Sequence, residues 1–111
     1  MAIIKSYTDL EQSKKLAEIL PLESADMYYG YRKDKPNYLP YSDAEVINLC
    51  LPCWSLAALL GVLPKAYSLG RRIYGKYYVC MTCVKHDVID YDNPVDACVA
   101  MVEKLNELKV L

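Results

Sequence analysis

Apolar residues recur every three to four positions in two stretches of the chain, and these predict its first and last helices. Leu10, Ser13, Leu16, Ala17 and Leu20 share one face, with Glu11, Lys14, Lys15 and Glu18 opposite. That is the pattern of a surface helix with one buried stripe. Ahead of it, Thr8-Asp9-Leu10-Glu11 reads as a capping box, with Thr8 accepting from the backbone three residues on and Glu11 reaching back. Pro21 stops the helix. Near the other end, Val95, Cys98, Val99, Met101, Val102, Leu105 and Leu108 form a second stripe, with Asp96, Glu103 and Glu107 on the far side. Asn93 is its N-cap and Pro94 its first residue, where a missing N–H costs nothing. Asp92 and Asp96 place negative charge at the positive end of the helix dipole.

The middle of the chain alternates differently. Met27 to Arg32 is rich in strand formers, Lys33 to Asn37 supplies turn residues, and Tyr38 to Tyr41 returns as a short strand that Pro40 confines to an edge. Ala44 to Leu49 fits strand or helix equally. Pro52 suits the first turn of a helix, and Trp54 to Leu63 is apolar on nearly every side, as a central buried helix is. Tyr67 to Tyr74 and Lys76 to Lys85 read as an antiparallel hairpin turning at Gly75, with Val84 to Tyr91 continuing or adding a strand. The order predicts an α+β fold: a small antiparallel sheet of hairpins with about three helices, one central and buried, packed on one face.

Composition narrows the class. A chain of 111 residues with 54% apolar content suits one domain, residues 1–111, with its own core. The first residues lack the basic and long apolar regions of a signal peptide, and the longest apolar run, Leu49 to Leu63, is shorter than the roughly 20 residues a bilayer span needs. A cytoplasmic protein without a membrane partner is expected. A net charge of −1 argues against a dedicated nucleic-acid binder. Eleven tyrosines stand against no phenylalanine and one tryptophan, which favours half-buried edges and contact surfaces.

Two features carry candidate chemistry. Cys50-Leu51-Pro52-Cys53 and Cys80-Met81-Thr82-Cys83 have the spacing of two zinc knuckles, so Cys50, Cys53, Cys80 and Cys83 form a candidate tetrahedral set. Their context opposes it, because residues three apart in a regular strand point to opposite faces. A thiol–disulfide oxidoreductase is a further reading, with Cys53 in the first turn of a helix whose dipole favours the thiolate. Cys98, within an apolar stripe, reads as core, and His86, the one histidine, as an exposed loop residue.

The other feature is basic and aromatic. Arg32, Lys33 and Lys35 against Asp34 give residues 31–41 a charge of +2, while Lys65, Arg71, Arg72 and Lys76 give residues 65–78 a charge of +4. The other segments are acidic. Tyrosines interleave both clusters, so Tyr31, Arg32, Lys33, Arg71, Arg72, Tyr74 and Tyr77 are candidate binding residues, able to stack bases and hold phosphates or to meet an acidic protein.

Three segments, Ser6 to Tyr29, Leu51 to Leu60 and Asp92 to the C-terminus, resemble a group of small uncharacterised proteins of gut Bacteroidetes and their phages or mobile elements. The match covers somewhat over half of the chain. It implies a cytosolic accessory protein of mobile-element origin and brings no activity, ligand or catalytic residue. The group's pattern has one cysteine in the central segment and no fixed pair in the hairpin, and this chain departs from it at Cys50, Cys80 and Cys83. The reading that results is a non-enzymatic interaction module without a cofactor. Its hairpin face would bind protein or nucleic acid, or a second copy of the chain, with a zinc domain as the alternative.

Overall fold

The computed structural model describes residues 5–32, 35–41, 48–64, 67–81 and 88–109. Lys33, residues 44–47, Lys65, Cys83 and His86 lie outside these described residues, as does most of the strand proposed from Val84. The elements in order are α1 (Leu10–Ile19), a single 3-10 turn (Leu22–Ser24), β1 (Met27–Arg32), β2 (Lys35–Tyr41), β3 (Asn48–Cys53), α2 (Leu56–Val62), β4 (Tyr67–Arg71), β5 (Tyr77–Met81) and α3 (Pro94–Glu107). The fold is α+β, with three α-helices and only antiparallel pairing among the described residues.

The strands divide between two sheets. One has the order β2-β1-β3 and the other is the β4-β5 hairpin. Both edges of the first sheet carry proline: Pro36 and Pro40 in β2, Pro52 in β3. Proline has no N–H to give a ladder, so edges are where it is tolerated. This places Pro52 and Cys53 in a strand, whereas their sequence context suggested the first turn of a helix. The helix starts later, capped by Ser55, which accepts from the Ala58 N–H at 3.2 Å while donating to Asp26.

The helices pack on both sheets, α1 on β3 and α3 on β5, and α1 and α2 pack on α3. The apolar core gathers Leu16 and Leu20 of α1, Trp54, Leu59 and Leu63, Val79 and Met81 of β5, and seven residues of α3 from Val95 to Leu105. The central buried helix is therefore α3. The expected one, α2, buries only Leu59, and Ala57 and Gly61 face solvent. Trp54, fully buried, lies just ahead of α2 rather than in it.

Two helix ends also differ from expectation. The α1 capping box sits one residue later: Asp9 accepts from the Gln12 N–H at 2.8 Å, and the Gln12 side chain accepts from the Asp9 N–H at 3.1 Å. Thr8 is displaced from that role because its side chain turns into the protein, where it is fully buried. The α3 cap is as predicted, with Asn93 accepting from the Asp96 N–H and Pro94 opening the helix. Leu10 and Leu108 project to solvent, 40% and 43% exposed, because each sits at the end of its helix beyond the covering elements.

Candidate functional site

The β4-β5 hairpin carries the candidate site that the structure assembles. Arg72 N–H donates to Lys76 C=O at 2.7 Å, and Gly75, with φ +93°, closes the turn. Tyr77 exchanges both backbone hydrogen bonds with Tyr91, at 2.8 and 2.7 Å, which lays residues 90–92 alongside β5. That pairing brings two carboxylates back onto the basic hairpin. Asp90 accepts from Arg72 Nε at 3.1 Å and from the Tyr74 hydroxyl, and Asp92 pairs with Lys76.

The Arg72 guanidinium also lies 4.2 Å from the centre of the Tyr78 ring, a cation–π distance. The Tyr78 ring in turn covers Gly70, directly across the hairpin. A β-carbon at Gly70 would stand 2.3 Å from the ring's Cζ, so any side chain there pushes the ring aside. Hydrogen bonds from Tyr74 and Arg72 hold the Asp90 carboxyl below its ordinary value, and the Asp90 bond raises the Tyr74 phenol. Asp92 raises the Lys76 ammonium in the same way.

What the hairpin offers outward is correspondingly specific. Arg71 is exposed, lies 5.7 Å from the Tyr77 ring centre and meets no carboxylate among the described residues. Ile73 is fully solvent-exposed and Tyr74 is 66% exposed. Arg71, Arg72, Tyr74 and Tyr77 are thus brought together. Tyr31 and Arg32 end β1 in the other sheet, so the two aromatic-basic clusters do not form one sheet face. Sequence reasoning missed Ile73, whose signal was a lone apolar residue between Arg72 and Tyr74 just before a turn glycine. It also missed the neutralising Asp90 and Asp92, which flank Tyr91 at the period-2 spacing of a strand.

No family model, curated protein or solved structure matches this chain.

Cys53, Cys80 and Cys98 lie in three different elements. Cys53 ends β3, while Cys80 lies in β5 of the other sheet, half-buried. Cys50 is in β3 and Cys83 lies outside the described residues, among which no three Cys, His, Asp or Glu side chains cluster as metal ligands would. Cys53 is fully buried, and burial pushes its thiol pKa up. A reactive thiol requires the reverse, an accessible sulfur and a lowered pKa. Cys98, enclosed in the core, is pushed up to about 11 by burial alone.

Cys53 belongs instead to a buried polar knot around Thr8. The Thr8 side-chain oxygen accepts from the Trp54 N–H at 3.1 Å, shares a hydrogen bond with the Ser13 hydroxyl at 2.8 Å and donates to the Cys53 sulfur at 3.6 Å. The Thr8 carbonyl accepts from the Tyr29 hydroxyl at 2.7 Å and from the Cys53 thiol at 3.5 Å. One orientation satisfies all of these: Ser13 donates to Thr8, Thr8 to Cys53, and Cys53 and Tyr29 to the Thr8 carbonyl. The knot joins α1, β1 and β3, and it is structural in character.

An open groove of about 810 Å³ runs between α3 and residues 89–91. Val79, Ile89, Tyr91 and Met101 make its apolar walls, with Glu103, Lys104 and Glu107 among the polar lining. Among the described residues no histidine or cysteine lines it. No helix among the described residues is long and apolar enough to cross a membrane.

Proposed function

We propose that this chain is a binding module that docks a protein partner through the tip of the β4-β5 hairpin, at Arg71, Ile73 and Tyr74. The observation that carries this reading is the bare Ile73 side chain, fully exposed beside an exposed tyrosine and an arginine that meets no carboxylate among the described residues. Arginine and tyrosine are the residue types that dominate interface energetics, and an apolar anchor between them favours a desolvated protein contact. The Asp90 and Asp92 pairings support a protein over a nucleic acid, because they neutralise two of the hairpin's cations. They also fix the tip in advance, which reduces the ordering cost of binding.

The test compares captured partners of the immobilised wild-type chain with those of an Arg71→Glu/Ile73→Asp variant and of a Leu22→Asp control, in an extract of the source cells. Both changes lie on exposed side chains and leave Arg72 with its stack and ion pair. A protein retained by wild type and control, lost with the double variant and resistant to nuclease supports the reading. Identical capture by all three sinks it, and capture abolished by nuclease assigns the hairpin to nucleic acid instead.

A further inference from the structure

We infer that β4 is a self-association strand, along which two copies of the chain pair edge to edge and antiparallel about Leu69. This surface adjoins the hairpin tip and shares Arg71 with it, but it uses the backbone edge of β4 and needs no other protein.

The direction of each backbone group in β4 follows from the hairpin's bonds. Tyr77 spends its N–H and C=O on Tyr91, and the Arg72–Lys76 bond closes the turn, so Arg71 and Tyr77 face each other without bonding. Ser68 and Gly70 are therefore the residues bonded to β5, opposite Cys80 and Tyr78. Tyr67, Leu69 and Arg71 direct their backbone groups away from β5, and no described residue pairs with them there. In the first sheet both edges carry proline, a device that discourages further pairing. β4 has no proline, no lysine and no register shift.

A second copy is the occupant because the strand is complementary to itself. In an antiparallel pair centred on Leu69, each Leu69 faces its mate and each Arg71 falls opposite the other copy's Tyr67. Every outward N–H and C=O of the three residues then finds a partner. The two arginines stand about four residues apart along the strands, on the order of 13 Å, so no like charges face each other. Each guanidinium lies beside a tyrosine ring instead, a favourable cross-strand pair. Centring the pair on Arg71 would set the two arginines face to face, so charge selects the Leu69 register. A single added strand buries little surface, which places the dimer at the weak end of specific association.

Residue-resolved amide exchange on the wild-type chain across a concentration series, alongside sedimentation velocity, tests this without altering the protein. The molar mass should rise from 12.7 kDa toward twice that with concentration. The amides of Leu69 and Arg71 should gain protection in step, while those of Ser68 and Gly70 stay protected throughout. A chain that stays monomeric at the highest concentration overturns the inference, and so does a dimer in which Leu69 and Arg71 exchange freely. A charge exchange checks the register. Tyr67→Lys sets two like-charged pairs opposite each other and should weaken the dimer about tenfold or more. Adding Arg71→Glu should restore it, and a double variant no tighter than the single one overturns the Leu69 register. Because these readings need no other protein present, they stand or fall independently of partner capture at Ile73.

Discussion

The two sheets are fastened to the helices by different chemistry. β5 joins the apolar core directly through Val79 and Met81, with Tyr67 and Leu69 of β4 packed against it. Tyr29 of β1 and Cys53 of β3 are buried as well, but neither belongs to that cluster. The first sheet is instead held by the Thr8 knot and by a short continuation of β3, in which Thr8 N–H donates to Trp54 C=O at 2.9 Å and Leu56 N–H to Ser6 C=O at 3.1 Å. Apolar packing is non-directional and yields gradually to truncation. A buried hydrogen-bond network is directional, and one deletion leaves several groups unsatisfied. The same difference separates the knot from the hairpin's own polar cluster. Thr8, Ser13 and Cys53 are fully buried, whereas Tyr74 is exposed and Arg72 and Asp90 are only half-buried, where an ion pair is worth less. Polar groups of the first kind hold the fold, and those of the second hold the shape of the hairpin tip.

The largest effect should come from cutting the knot. Thr8→Val keeps the shape but strips the acceptor from the buried Trp54 N–H and the partner from the Ser13 hydroxyl. A buried polar group left unsatisfied costs about 1–3 kcal/mol, so two should cost about 3 kcal/mol in denaturant unfolding. If the sheets are fastened separately, amides of β1 and β3 should lose exchange protection while those of β4 and β5 keep theirs. Equal loss in both sheets would break the comparison.

A somewhat smaller effect is expected in the second sheet, where the fault would be steric. Gly70→Ala pushes the Tyr78 ring off its place over Gly70 and should cost about 1–2 kcal/mol, the low end of overpacking, because the ring tip can move. Tyr78→Ala removes the obstacle. Against that background the same glycine change should be nearly neutral in thermal unfolding, a coupling that a general intolerance of Gly70 to substitution would not show.

How much of this was legible in the sequence depended on range. The α3 cap was readable because Asn93, Pro94 and Asp96 act on their immediate neighbours. The α1 box was misplaced by one residue because the local pattern fits Thr8 or Asp9 equally. What decides is Trp54, 46 positions away, whose N–H takes the Thr8 oxygen. Pro52 was read as a helix opener for the same reason: an edge strand also tolerates proline, and only pairing with β1 distinguishes the two. At the hairpin, Arg71, Arg72, Tyr74 and Tyr77 were visible as a cluster of charge and rings. Their pairing with Asp90 and Asp92 was not, because it follows from the Tyr77–Tyr91 bridge, a long-range backbone contact.

A third perturbation, of about 1 kcal/mol, probes the link between α1 and α3. Lys5 donates to Asp9, Gln12 and Asp96 at 3.0, 2.6 and 2.9 Å, and Gln12 donates to Asp96 at 2.8 Å. Partial burial pushes the Asp96 carboxyl up, but hydrogen bonds from Lys5, Gln12 and Asn93 outweigh it and hold the group below its ordinary value of 3.8. Asp9 is lowered likewise, against partial burial, by the Gln12 N–H and Lys5. A carboxyl whose pKa is lower folded than unfolded stabilises the protein fully above its unfolded value and progressively less as pH falls through the folded one. Stability should therefore drop in acid below about pH 4, and Asp96→Asn should flatten that drop. An unchanged acid limb in the variant would remove Asp96 from this role.

The smallest effect separates neighbouring arginines. Arg72→Gln gives up the stack on Tyr78 and the half-buried Asp90 pair, and should cost about 0.5–1 kcal/mol. Arg71→Gln loses only a longer approach to Tyr77, at 5.7 Å, and should leave thermal unfolding within about 0.5 kcal/mol of wild type. Added salt should shrink the Arg72 effect by screening the Asp90 pair, while the stacking contribution persists. The pair of variants sorts the hairpin's cations by what they already hold. Arg72 is committed to keeping the tip in shape, and Arg71 is available to whatever meets it. A larger stability loss at Arg71 than at Arg72 would invert that assignment, and with it the reason for placing the partner at the tip.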